Sequence, residues 1–182
     1  MRVLVMIDMQ NDFITGPLGS KEAQEVLARV VKGIGEYADK NHILLYTMDT
    51  HFTDYEKTLE GQRLPVPHCI PKTEGWKMPT ELIAAINDTD FNWFDVRMVR
   101  KASFGSTWLP SEVDFLCQNE ELEEIIIFGL CTDICVFANA VVLRTYFKDT
   151  PITVLADWCA GTTQENHELA IKAMKMLNID AE

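Results

Sequence analysis

Cationic side chains are scarce in this sequence. Sixteen Lys and Arg stand against 28 Asp and Glu, a net charge of −12 with neutral histidines. Nucleic acid and anionic membrane both recruit cationic patches, so this deficit argues against either as a partner. No apolar run approaches the roughly 20 residues of a membrane span. Met1-Arg2 leads straight into Val3–Ile7, too short for a signal core and without a cleavage site. Cysteine is sparse and odd in number, at Cys69, Cys117, Cys131, Cys135 and Cys159. Without secretion, disulfides are not expected, and each thiol is either core filler or chemistry. A cytoplasmic location is therefore the expectation. Repeats, low-complexity tracts and linkers are also missing. What remains is 182 residues, 47% hydrophobic and 24% charged, which suits one globular domain over 1–182 with a core of useful size.

Apolar runs of strand length recur at Val3–Asp8, His42–Met48, Val96–Val99, Glu124–Gly129 and Ile152–Ala156. Several are nearly all apolar rather than alternating, the pattern of strands buried on both faces of a parallel sheet. Helical patterns lie between them. Ala23, Val26, Leu27, Val30, Val31, Ile34 and Tyr37 keep a 3.6-residue period and predict a helix over Lys21–Lys40. Pro79 and Pro110 suit the first turns of two shorter helices. Thr132 to Phe147 reads as a buried helix, and Thr162 with Glu165 has capping-box spacing for a last helix through Leu177. The alternation predicts a three-layer α/β/α fold with a mostly parallel sheet of five to six strands. Asn178–Glu182 is too short to announce the sixth. Only 49–77 breaks the rhythm, with no clear period and with Gly61, Pro65, Pro67, Pro71 and Gly75. A loop that long inside a compact domain is usually functional.

Ligands of such sheets bind outside the carboxyl ends of the strands. Those ends carry Asp8, then Asp49 and His51, then Lys101 after the run 95–100, then Cys131 to Cys135. Each is polar or reactive where the preceding run is apolar. Asp8 can be a proton acceptor, or a strand-end carboxylate bonded to loop amides. Lys101 can be a solvated lysine, or a desolvated one that acidifies a thiol. Cys135 stands in the first turn of a helix, where free amides and the dipole favour a thiolate and can hold an oxyanion. A buried packing cysteine is the other reading. Its CxxxC spacing with Cys131 fits neither a redox pair nor a zinc knuckle. Asp49 and His51, two apart on an extended segment, face one way. With Glu60 and His68 from the following loop they offer two carboxylates and two imidazoles, a set suited to one divalent ion, Zn²⁺ first, with Fe²⁺ or Mn²⁺ next. Cys69, beside His68, is either a softer ligand or packing.

The run Val5-Met6-Ile7-Asp8-Met9-Gln10-Asn11-Asp12-Phe13, the segment Gly129-Leu130-Cys131-Thr132-Asp133-Ile134-Cys135-Val136 and the order Asp, Lys, Cys resemble the isochorismatase-like cysteine hydrolases. Asp49-Thr50-His51 with Pro67-His68 is similar to the metal site of the nicotinamidase branch. The resemblance spans nearly the whole chain. It implies a six-stranded parallel sheet, a triad of Asp8, Lys101 and Cys135, and a cis peptide before Cys131. It places the oxyanion on the amides of Cys131 and Cys135. It further implies metal ligands Asp49, His51, Glu60 and His68, aromatic walls Phe13 and Phe104 with Trp76 a further candidate, and self-association into a homo-oligomer. The activity implied is hydrolysis of nicotinamide to nicotinate and ammonia through a thioester. A metal-free relative acting on another amide, a ureido compound or an enol ether is the alternative. A non-catalytic module that binds a small molecule is the third reading.

Overall fold

The computed structural model describes residues 1–38, 41–91, 96–118 and 120–182. Five strands form where the apolar runs lie: β1 (Arg2–Ile7), β2 (Ile43–Asp49), β3 (Val96–Lys101), β4 (Glu124–Leu130) and β5 (Ile152–Ala160). A sixth, β6 (Asp180–Ala181), is two residues long and pairs with Thr153 and Val154 of β5. It is too short to leave a hydropathy signature. The sheet order is β3-β2-β1-β4-β5-β6, and every pairing is parallel. Val3 to Ile7 and Ile125 to Ile127 are essentially inaccessible to solvent, which explains their uninterrupted apolar character.

Helices cover the sheet. They are α1 (Asn11–Ile14), α2 (Lys21–Gly33), α3 (Leu59–Arg63), α4 (Thr80–Asn87), α5 (Leu109–Cys117), α6 (Phe137–Tyr146) and α7 (Gln164–Met176). α2 packs on α4 and β5, while α5, α6 and α7 pack in series. This is a sheet between two helical layers. α2 presents Ala23, Val26, Leu27 and Val30 to the core and is capped by Ser20, whose hydroxyl accepts the Ala23 amide. It is shorter than its periodicity suggests, because the backbone tightens into a 3₁₀ turn at Ile34–Glu36. Lys40, the expected helix end, and Asp95, the first residue of the expected third run, lie outside the described residues.

Two other expectations change. The last helix is capped by Thr163, which accepts the Asn166 amide, rather than by Thr162. The Thr162 hydroxyl is already committed to Asp133, at 2.5 Å. Thr132 to Phe147 is also not a single α-helix. Thr132–Val136 is one π-helical turn, and α6 follows it.

The chain runs from β1 outward to β2 and β3 on one side, then to β4, β5 and β6 on the other. The strand order therefore reverses next to β1, which opens a crevice at the carboxyl ends of the central strands. Closest approach there demands glycine at one place. Gly129 has φ +127°, and a Cβ on it would lie 2.1 Å from the Ile7 carbonyl oxygen of the neighbouring strand.

Candidate active site

Asp8 is the first residue past β1 and is completely buried. Its backbone is left-handed, φ 47°, a conformation aspartate tolerates better than most residues. Thr47 of β2 fixes the carboxylate from two directions. The Asp8 amide donates to Thr47 Oγ1 at 3.1 Å, and that hydroxyl donates back to Asp8 Oδ1 at 2.6 Å. The other carboxylate oxygen lies 2.6 Å from Lys101 Nζ. Lys101 ends β3, in register with Asp49 at the end of β2. Its ammonium is 3.2 Å from Asp49 Oδ1 and 3.5 Å from Cys135 Sγ. Cys135 is buried within the π turn, whose start is set by the Ile134 and Val136 amides donating to the Cys131 carbonyl. The Leu130–Cys131 peptide is cis, as the resemblance implied.

The charges follow from burial and neighbours. Burial pushes the Asp8 carboxyl up, against the pull of Lys101, so it is a better proton acceptor than an ordinary aspartate. Burial alone would lower Lys101, but Asp8, Cys135 and Asp49 outweigh it, and the amine stays protonated. Burial also raises the Cys135 thiol well above its ordinary value. Asp8 adds to this, and Lys101 only partly opposes it. The resting thiol is therefore protonated. Burial thus works against the thiolate preference expected of a helix start.

A second cluster adjoins the first. Asp49, His51, Glu60 and His68 each offer a donor atom, and these atoms all lie within 4.8 Å of one another. Asp49 Oδ2 is 2.9 Å from His51 Nε2 and 3.4 Å from His68 Nε2. Glu60 Oε1 is 3.5 Å from His51 and 3.8 Å from His68. Burial would raise the Asp49 carboxyl, yet the two imidazoles and Lys101 hold it below the usual range. His68 Nδ1–H donates to the Val66 carbonyl at 2.8 Å, which turns Nε2 with its lone pair into the cluster. Such a buried, mixed nitrogen and oxygen donor set fits a transition metal or zinc ion. Cys69 is not one of these donors. It is fully buried, and its amide donates to Asp12 Oδ2 at 2.7 Å.

The loop 49–77 that supplies these donors is less irregular than its sequence. It folds into a 3₁₀ turn at Tyr55–Lys57 and then α3, capped by the Thr58 hydroxyl, and α3 carries Glu60. Residues after β1 tie this loop down. The Gln10 amide brackets Asp49, accepting its N–H at 2.7 Å and donating to its carbonyl at 3.0 Å. Asn11 and Asp12 bond the loop at Lys77, Glu74, Gly75 and Cys69.

A cavity of about 340 Å³ joins the two clusters. Cys135, Cys131, Asp49, Glu60 and His68 open onto it, with Phe13, Phe104, Leu18, Leu64 and Ile134 among its walls. This volume is at the small end of the range for small-molecule sites. A second hollow of about 340 Å³, behind Ala160–Thr162, is lined mainly by polar groups such as Glu22, Glu25, Arg29 and Asp157 and touches neither cluster. The structure thus gathers Asp8, Lys101 and Cys135, the four ligand candidates, and both Phe13 and Phe104. Trp76 is not a wall. Its indole donates to Thr50 Oγ1 at 3.0 Å and lies under Arg100, so it packs the base of the loop. Residue-level reading missed Thr47, Gln10, Asp12 and Asn139. Thr47 and Asn139 did leave a signal, each being a polar residue inside an otherwise apolar segment.

The isochorismatase domain model matches residues 2–180. The chain belongs to the isochorismatase family. Among its relatives, nicotinamidase of Escherichia coli K12 is 25% identical over 204 residues, covering 96% of this chain and 90% of that protein. The crystal structure of nicotinamidase/pyrazinamidase PncA from Bacillus subtilis superposes with a TM-score of 0.82 at 25% identity, covering 99% of this chain and 98% of that one. Pyrazinamidase of Pyrococcus horikoshii, solved in complex with zinc, has a TM-score of 0.77 at 22% identity and covers 100% and 98%. This isochorismatase-family fold is the parallel sheet flanked by helices expected from the alternation, with the sixth strand that the resemblance implied. Among the described residues, no helix is long and apolar enough to cross a membrane.

Proposed function

We propose that the protein is a metal-dependent amidohydrolase that converts nicotinamide to nicotinate and ammonia through a thioester on Cys135. The observation that carries this reading is the shared cavity. One space of about 340 Å³ exposes a nucleophile backed by a buried Asp–Lys pair and, beside it, a four-donor metal cluster. Relatives named nicotinamidase support the substrate class.

Asp8 takes the Cys135 proton, a transfer favoured by its raised pKa and by Thr47, which aims the carboxylate. Lys101 neutralises the charge left on sulfur. The thiolate attacks the carboxamide carbon, and the C=O electron pair moves onto oxygen. The amides of Cys131 and Cys135 hold that oxyanion. Collapse expels ammonia with the proton from Asp8. Asp8 then draws a proton from water, which attacks the thioester, and the acid leaves as Cys135 regains its proton. Asp49, His51, Glu60 and His68 would hold the divalent ion, zinc being the first choice for this donor set. When bound, it would supply a Lewis-acidic point that holds a ring nitrogen and orients the substrate. Phe13 and Phe104 flank the flat ring.

A panel of carboxamides with an ammonia readout, run on protein of measured metal content, tests the reading. Nicotinamide should be turned over, and Cys135→Ala should lose at least about 10³-fold in rate while folding normally. Normal turnover by that variant would remove Cys135 from the mechanism. Full activity in protein free of metal would favour a metal-free branch of the family.

A further inference from the structure

Asn139 lies in the first turn of α6, fully buried between the apolar residues Phe137, Ala138 and Ala140 to Val142. Three hydrogen bonds satisfy it, and all three reach the active site. Its Oδ1 accepts the Ser106 amide at 2.9 Å. Its Nδ2 donates to the Phe104 carbonyl at 3.1 Å and to the Cys135 carbonyl at 2.8 Å. One side chain thus spans the loop after Lys101 and the turn of the nucleophile.

The placement of Phe104 calls for such a brace. Its ring lines the cavity yet is 48% exposed, so core packing does not fix it. Its backbone is what is fixed. Asn139 grips the carbonyl of Phe104 and the amide of Ser106, Ser103 Oγ donates to the Gly105 carbonyl at 2.9 Å, and Gly105 sits against Ala138 of α6. A core asparagine kept only for stability could bond any nearby backbone. This one bonds the wall and the nucleophile together. We infer that Asn139 is a positioning residue that sets the spacing between the Phe104 ring and Cys135, and so tunes the site for acyl groups carrying a flat ring. This rests on the proposed reading that the cavity takes a flat aromatic amide.

The test uses two alkylating reagents that displace halide with the Cys135 sulfur, 3-(bromoacetyl)pyridine with a ring and iodoacetamide without one. Labelling of the Cys135 peptide is followed by mass spectrometry, each rate being normalised to that of free cysteine. Asn139→Ser keeps a hydroxyl able to bond the Cys135 carbonyl one turn back but cannot reach the loop. The wild type should prefer the ring reagent. That preference should fall about three- to tenfold in Phe104→Ala and in Asn139→Ser, and fall no further when the two are combined. Asn139→Asp, which keeps only the Ser106 bond, is the second variant should the serine fail to fold, and its preference should fall as well. Equal slowing of both reagents, multiplied effects in the double variant, or no ring preference in the wild type would overturn the assignment. Ammonia release from nicotinamide is measured alongside. A wild type that shows the labelling pattern but not this turnover would refute the proposed substrate and leave the role of Asn139 standing.

Discussion

Asp49 divides one carboxylate between two clusters. Its Oδ1 faces Lys101 at 3.2 Å, while its Oδ2 faces His51 and His68 at 2.9 and 3.4 Å. Gln10 clamps its backbone on both sides, which fixes where the carboxylate is presented between the two clusters. Gly129 is the other residue on which the site depends. Any side chain there would meet the Ile7 carbonyl, one residue before Asp8, and would need a backbone that L residues avoid. Gly129→Ala should destabilise the fold by about 3 kcal/mol or more, measured by urea unfolding. A loss under about 1 kcal/mol would mean that the β1–β4 approach can relax. Asp8, Asp49, Lys101 and Cys135 were legible as candidates because each is a charged or reactive residue at or just past the end of an apolar run, whereas Glu60 and His68 stood out only by residue type within the irregular loop. Thr47 showed only as a polar residue within an apolar strand and Gln10 not at all, because their partners, Asp8 and Asp49, are brought to them by strand pairing that a single sequence does not reveal.

At the level of elements, period and position gave different returns. The five long strands and α2 were readable, since burial on both faces or on one stripe leaves a hydropathy pattern. β6 was not, as two residues carry no pattern and its pairing is with main chain. The Cys131–Cys135 segment looked like the start of an α-helix, and the apolar run from Thr132 to Phe147 could not distinguish a π turn from an α turn. The last cap moved by one residue because the Thr162 hydroxyl has a distant partner, Asp133. In the 49–77 loop, prolines and glycines hid α3, a helix of five residues that brings Glu60 to the two histidines.

For the whole molecule, the reversal of strand order beside β1 places the carboxyl ends of β1 to β4 around one crevice, so groups far apart in sequence meet. Burial of the site and core also sets a pH limit. Cys117 is pushed from 9.0 up to about 11, and Cys131 and Cys159 from 9.0 up to about 12, in each case chiefly by burial. The folded state therefore holds these protons more tightly than the unfolded chain. Their contribution is intact below about pH 9 and is lost as pH rises towards 12, at up to about 1.4 kcal/mol per pH unit for each thiol. Urea unfolding at pH 8 and pH 10.5 should show lower stability at the higher pH. Equal or greater stability there would contradict this account of the core. The central claim, a thioester on Cys135, is tested most directly by adding hydroxylamine to the nicotinamide reaction. A thioester predicts nicotinohydroxamate formed alongside nicotinate, with neither product from Cys135→Ala. Continued ammonia release with no hydroxamate, or hydroxamate from Cys135→Ala, would contradict it.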